Sequence, residues 1–170
     1  MRNGRLISIE GDEIWYKDDE VHRLDGPAII WKDGSKFWYK EGLLHRLDGP
    51  AVEYLNGHYE WYKDGERHRE DGPAVRNIEG TMYWYREGHL HREDGPAIEY
   101  FTGTKYWFED GLLHREDGPA IEWSDGFKTW SIKGKQVCEG DYKQWLAKKE
   151  LNIKLSVNLE ECPFEKRTKI

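Results

Sequence analysis

Histidine, arginine and aspartate, three side chains able to move protons or hold charge, recur here in fixed order. The heptapeptide His-Arg-x-Asp-Gly-Pro-Ala begins at His22, His45, His68, His91 and His114, always 23 residues apart. In one copy these residues could serve as base, electrophile and acid. Five copies argue otherwise, because catalysis needs one asymmetric constellation, whereas a fixed short period marks one structural unit stacked on itself. Each residue also has a structural role. Asp before Gly-Pro bonds the amides of its own turn, and Arg clamps that carboxylate or bridges to the next hairpin. His packs opposite a Trp and satisfies a strand-end carbonyl, and Pro opens a strand where no amide donor is needed. The histidines would stand in a row about 10 Å apart, whereas metal ligands lie about 2 Å from one ion. His89 and His91 share a strand face but have no Cys or paired carboxylates beside them. No metal site and no cofactor is expected. With no phosphate-binding Gly-rich loop, nucleophile elbow or zinc-protease pair in the sequence, the chain reads as a non-enzyme.

The unit His45–Arg67 is punctuated by Asn56-Gly57 and Asp64-Gly65. Such dipeptides between β-rich runs are strong hairpin signals, since Gly tolerates the positive φ of a tight turn. Two-residue loops at both turns predict a register. In the middle unit Arg76 faces Tyr83, Val75 faces Trp84, Tyr85 faces Leu90, Trp84 faces His91 and Tyr83 faces Arg92. Alternation then gives one face Val75, Asn77, Met82, Trp84 and His91, and the other Ala74, Arg76, Tyr83, Tyr85, Leu90 and Arg92. The predicted fold is all-β: an elongated, twisted antiparallel sheet of tandem 23-residue β-hairpin repeats, roughly 50 to 70 Å long. Five full repeats and an N-terminal partial repeat occupy residues 1–134. Residues 135–170 form a C-terminal cap, with a short helix over about 139–151 carrying Tyr142, Trp145 and Leu146. A strand follows over about 153–159, from the alternation of Ile153, Leu155, Val157 and Leu159, and then a loose tail.

Shared residues build a repeat scaffold, so departures from the pattern mark the site. The slot of Arg76 reads Ile30, Glu53, Arg76, Glu99 and Glu122, and that of Asn77 is otherwise aromatic: Trp31, Tyr54, Tyr100, Trp123. On the predicted register the middle unit presents Arg76, Tyr83 and Arg92 in one row, with Asn77 next door. Two guanidinium groups around a phenol suit a ligand with a phosphate and a flat base. The competing reading pairs Arg76 with Glu53 or Glu99 across the sheet.

Of the 170 residues 35% are charged and 14% aromatic, and the net charge of -7 argues against broad nucleic-acid or anionic-membrane binding. Nine Trp and ten Tyr against two Met fit a sheet better than a Leu-rich helical core. Cys138 and Cys162 lie outside the repeats and read as thiols of a reducing compartment. With no apolar run of about 20 residues, a cytoplasmic protein is expected.

The pattern Trp-Tyr-x-x-Gly-x-x-His-Arg-x-Asp-Gly-Pro-Ala, followed by a helix with an aromatic pair, is similar to repeat proteins of tailed bacteriophages and large viruses. Its length, hairpin form and Tyr-x-x-Gly-x-x-His core (Tyr39, Gly42, His45) resemble the MORN repeat. It departs from MORN in reading His-Arg-x-Asp-Gly-Pro for His-Gly-x-Gly, so MORN lipid and scaffold roles are not carried over. The viral resemblance, with the Arg–Tyr–Arg row, implies a binder that antagonises host defence in the host cytoplasm. It would do so by sequestering an anionic nucleotide-like signal or by binding a host defence protein through the repeat sheet. A second copy of the chain could complete the pocket, which leaves a homo-oligomer open.

Overall fold

The computed structural model describes residues 1–160. One long antiparallel sheet runs through the chain in hairpin order, from Gly4–Ile7 at one end to Lys135–Val137 at the other. The two end strands are not paired to each other, so the sheet is open. Each repeat adds two short strands, as in Val52–Glu53 and Tyr59–Glu60, and then a separate two-stranded ribbon, as in Tyr62–Lys63 with Glu66–Arg67. The His-Arg-x-Asp-Gly-Pro loop returns the chain to the main sheet.

The two turns of a repeat differ. In the ribbon, Asp64 and Gly65 have φ of 50° and 85°, and Tyr62 pairs with Arg67 across a two-residue loop. That is the mirror-image turn whose twist matches the strands, and it confirms the predicted pairing of Tyr85 with Leu90. The first turn holds three residues. The Tyr54 amide donates to the His58 carbonyl at 2.9 Å and the Gly57 amide returns to Tyr54 at 3.1 Å, with Gly57 at φ 86°. The predicted register across this turn is therefore corrected by one residue: Val75 pairs with Tyr83, and Arg76 with Met82. A slip of one residue exchanges the faces of everything beyond it.

On one face, paired residues run Ile29, Phe37, Val52, Glu60, Val75, Tyr83, Ile98, Tyr106 and Ile121. On the other they run Ile30, Lys36, Glu53, Tyr59, Arg76, Met82, Glu99, Lys105 and Glu122. The first is an aromatic and aliphatic face, and the second a charged ladder. Side chains of the ribbons lie against the aromatic face: the Tyr62 hydroxyl and Arg67 reach Glu60 at 2.8 Å, and Phe108 stacks on Tyr106 at 6.4 Å. The buried core is thin: Ala28, Ala51, Ala74, Ala97 and Ala120 are fully buried, with Val52, Val75, Ile98 and Ile121 nearly so.

The repeated motif is structural. Each Arg stacks on a Trp at 4.0 to 4.1 Å, from Arg23 on Trp15 to Arg115 on Trp107. Each Arg also donates from Nε to the loop Asp and from Nη1 to the Pro carbonyl. The histidines do not donate to a strand-end carbonyl as expected. Their Nδ1 atoms accept the backbone amide of the next repeat's turn, from His22 with Glu41 at 3.0 Å to His114 with Lys133 at 3.3 Å. The ring thus ties each repeat to its successor.

The cap differs from expectation too. Helix α1 spans Glu139–Glu160, through the residues expected as a strand. Ile153 and Leu155 are exposed, so no sheet edge is present to select the alternating pattern, and extending a helix already nucleated costs little. The tail expected from residue 161 onward, and Cys162 with it, lies outside the described residues. The α1 segment docks by a Tyr142 hydroxyl donated to the Glu116 carbonyl and by an ion pair from Lys149 to the Glu116 carboxylate. Trp145 stands edge-on to His114 at 6.0 Å. Glu109 takes the position held by Lys40, Lys63 and Arg86 in earlier repeats. A carboxylate therefore replaces the cation there, which leaves Glu116 for the lysine of the cap.

Candidate functional site

The four residues predicted to share a site divide between the faces. Arg76 and Arg92 belong to the charged face, where Arg92 lies on Trp84 at 4.1 Å and donates to Glu99 at 2.9 Å. Tyr83 and Asn77 belong to the aromatic face. Asn77 is further committed to its own turn, its Oδ1 accepting amides of Glu79 at 3.1 Å and Thr81 at 2.8 Å. The predicted row of Arg76, Tyr83 and Arg92 is not formed. Tyr83 stands between Val75 and Ile98, and Arg76 between Tyr59 and Met82.

The surroundings of Arg76 are unlike those of any other repeat. Where its slot holds Glu, that carboxylate accepts from Nη1 of the loop arginine seven residues earlier: Arg46 to Glu53 at 2.8 Å, Arg92 to Glu99 and Arg115 to Glu122 at 2.9 Å. In the middle repeat the slot holds a second guanidinium. Arg69 keeps Asp71 at 2.8 Å and the Pro73 carbonyl at 3.3 Å, but the third acceptor is gone. Arg76 is exposed and makes no ion pair among the described residues, and its cross-strand neighbours Tyr59 and Met82 are uncharged. The Lys–Glu alternation seen at Lys36 and Glu53, or at Glu99, Lys105 and Glu122, lapses here.

Arg69 also lines a cleft of about 760 Å³ between its own loop and the loop of Arg92. Trp84, Arg86 and His91 complete the walls, with Glu70, Asp71, Glu93 and Asp94 at the rim. Most of the rim carboxylates are already matched: Asp71 to Arg69, Asp94 to Arg92, and Glu93 to Arg86 at 2.9 Å. His91 accepts at Nδ1 from the Asp110 amide at 3.2 Å, and its buried Nε2 makes no hydrogen bond, with the Glu93 carboxylate 3.7 Å away. An Nδ1 that accepts leaves the proton on Nε2. His91 Nε2 is itself shielded from solvent, and the cleft is flanked by three guanidinium groups, those of Arg69, Arg86 and Arg92.

A second departure lies on the aromatic face, and sequence reasoning missed it. Glu60 occupies the slot of Phe37, Tyr83 and Tyr106, His58 that of Ser35, Thr81 and Thr104, and Arg67 that of Leu44, Leu90 and Leu113. Glu60 pairs with each of the other two. Glu60, 13% exposed, meets His58 Nε2 at 2.9 Å, the Tyr62 hydroxyl at 2.8 Å and Arg67 at 2.8 Å. Burial pushes the Glu60 carboxyl up, but donors from His58, Tyr62 and Arg67 outweigh it and hold the group below the ordinary carboxylate range. Burial and the neighbouring Glu60 raise the Tyr62 phenol to about 12. Column by column, this trio is a set of substitutions in one repeat that compensate one another.

Among the described residues no cluster of His, Cys, Asp and Glu could hold a metal ion. No helix is long and apolar enough to cross a membrane. No family model matches the sequence, and no curated protein matches it significantly.

Proposed function

We propose that this chain is a non-enzymatic binding protein that sequesters an anionic nucleotide-like ligand around Arg76, Arg69 and the cleft that Arg69 lines. The observation that carries the reading is the replacement of the repeat's glutamate by Arg76. It removes an acceptor that three other repeats use and sets an unpaired guanidinium between uncharged neighbours. Arginines recognise phosphate through paired N–H donors, and 760 Å³ is within the range of small-molecule sites. The binding groups proposed are Arg76, Arg69, Arg86 and Arg92. Tyr83 and Asn77, on the opposite face, do not join them. In an infected cell, the setting that the viral resemblance implies, such a binder withdraws a signalling nucleotide from a defence pathway.

The test is thermal unfolding with a panel of cyclic dinucleotides and ADP-ribose compounds, followed by recovery of each ligand after denaturation. A ligand that raises the melting temperature, returns chemically intact, and loses its effect in Arg76→Ala supports the proposal. A ligand returned altered makes the chain an enzyme. No shift across the panel, or shifts indifferent to Arg76→Ala, overturns it.

A second reading, a surface for another protein, rests on a different observation: Trp31, Tyr54 and Trp123 lie about 40% exposed along the aromatic face.

A further inference from the structure

We infer that the cleft between the loops of Arg23 and Arg46 binds a small amphipathic monocarboxylate, an apolar chain or ring ending in one carboxylate. This cleft, of about 590 Å³, is the counterpart, two repeats earlier, of the cleft that Arg69 lines. Its volume is in the range of small-molecule sites. Its rims differ from those of its counterpart. The residue after the loop arginine reads Leu24, Leu47, Glu70, Glu93 and Glu116 along the chain. Leu24 and Leu47 are 77% and 70% exposed, so an apolar side chain stands on each rim of this cleft. The Arg69 cleft has Glu70 and Glu93 in those places.

The same change of column strips a cation of its acceptor. In the later repeat Arg86 donates to Glu93 at 2.9 Å and to Asp110 at 3.3 Å. Lys40 holds the slot of Arg86, and Leu47 holds that of Glu93. The half-buried Lys40 lines the cleft and makes no ion pair among the described residues. Arg23 also has fewer acceptors than its equivalents. It keeps Asp25 at 2.8 Å and the Pro27 carbonyl at 3.2 Å, but Ile30 stands where Arg46 finds Glu53. The two carboxylates of the lining, Asp25 and Asp48, are matched to Arg23 and Arg46. His45, also in the lining, has its Nδ1 beside Asp64 at 2.9 Å. Three cations against two carboxylates leave one positive charge over, at Lys40.

These two features select the ligand. A lysine ammonium is a compact point charge, without the paired donors by which arginine grips a phosphate. A phosphate dianion would also bring more charge than the one cation left over. A single carboxylate matches Lys40, and an apolar chain beside it covers Leu24 and Leu47, which water otherwise meets. Neither half is enough alone. A solvated ion pair is weak, and two leucines without a charge do not orient what they touch. The cleft shares no residue with the one that Arg69 lines, so this inference stands apart from the reading of Arg76.

Amide NMR spectra of the full chain, titrated with octanoate to about 1 mM, where a ligand of millimolar affinity half-fills its site, test it. Saturable shifts are expected at Leu24, Gly26, Lys40 and Leu47, and none at Arg69 or Arg92. Acetate and octanol, which carry the charge and the chain separately, should each bind about tenfold more weakly, a difference of about 1.4 kcal/mol. Leu47→Glu installs the residue that three later repeats hold in this slot, so thermal unfolding should stay cooperative. It gives Lys40 a partner and removes an apolar rim, and should weaken octanoate about tenfold. Lys40→Gln should bring octanoate down to the level of octanol, and Arg76→Ala should change nothing. No saturable shift at the cleft overturns the inference. So does octanoate binding that either Leu47→Glu or Lys40→Gln leaves at the wild-type level, or octanol binding as tightly as octanoate.

Discussion

Replacing Arg76 by Glu restores the residue that three other repeats hold in this position, and the ligand-free protein should become more stable. The new carboxylate would accept from Nη1 of Arg69, as Glu53 does from Arg46 and Glu99 from Arg92, at 2.8 to 2.9 Å. The arginines are about four-fifths buried, but the glutamates are 30 to 38% exposed, so the bond falls between the surface and buried cases. Exposed ion pairs are worth about 0.2 to 1 kcal/mol and bonds to charged groups about 1.5 to 3 kcal/mol. A gain of about 1 kcal/mol is the reasoned middle. For a chain of this size that corresponds to a rise in Tm of roughly 2 to 4 °C. Scanning calorimetry of the wild type, Arg76→Glu and Arg76→Gln at moderate salt measures it. Arg76→Gln removes the like charge without supplying the acceptor, so it should recover a minority of the gain. The gain should shrink at about 1 M salt, where the screening length falls to about 3 Å. If Arg76→Glu unfolds at or below the wild-type temperature, Arg69 has no unmet acceptor there and the site has been misread.

The remaining predictions concern the second departure, the core and the cap. Glu60→Gln should destabilise by about 1 to 3 kcal/mol, since it leaves Arg67 and Tyr62 without their charged acceptor. The Glu60 carboxyl is held below its unfolded value, so its contribution is present above that unfolded value and is lost as pH falls through the folded one. The stability difference between wild type and Glu60→Gln, measured by urea titration from neutral pH down to about 3, should therefore narrow on acidification, from about pH 4.5 downward. Ala97→Leu, at a fully buried position beside Trp84, should cost about 1 to 3 kcal/mol by overpacking, read from the urea midpoint at unchanged slope. Tyr142→Phe removes the hydroxyl donated to the Glu116 carbonyl and should cost about 0.5 to 1.5 kcal/mol. Hydrogen exchange should show earlier opening of α1 in that variant and unchanged protection in the first repeats.

The fold was legible because its signals are local and repeated. Asp64-Gly65 and its equivalents name a two-residue turn, and the ribbon forms in the expected register. The other turn also ends in x-Gly, but its Gly closes a three-residue loop. The side chain two residues ahead of the closing position carries the cue in three repeats, Asp33 to the Ser35 amide, Asn56 to His58 and Asp125 to Phe127, and Asn77, four residues ahead, accepts from Thr81 in the middle one. Missing it moved Tyr83 to the face of Arg76, and with it the predicted site. Arg76 itself was singled out by its column alone and needed no register. The trio of His58, Glu60 and Arg67 could have been found the same way, because each departs from its column, but their pairing becomes visible only once Glu60 is on the face of Tyr62 and Arg67. In the cap, the alternation of Ile153, Leu155 and Val157 is a strand signal only if a sheet edge lies alongside, and sequence periodicity carries no information about neighbours.

The two departures meet in adjoining strands, and the reason lies in how short those strands are. Tyr59–Glu60 has two residues in the ladder and sends one to each face. Tyr59 goes beside Arg76, and Glu60 into the network with His58, Tyr62 and Arg67. Elsewhere the same strand sends a Lys to the charged side and an aromatic ring to the other, as in Lys36–Phe37 and Lys105–Tyr106. Removing the Lys at position 59 takes one cation from the row, and placing Arg at 76 restores a cation one strand away with no glutamate to meet it. The charge is therefore not lost from this stretch; it is moved from a matched position to an unmatched one. On the other face a carboxylate enters an aromatic row together with the His, Tyr and Arg that satisfy it. One alteration leaves a group unsatisfied where solvent and ligands can reach it, and the other satisfies every group it buries. That contrast is why the proposed ligand site is placed at Arg76, whereas the network around Glu60 reads as self-satisfied structure.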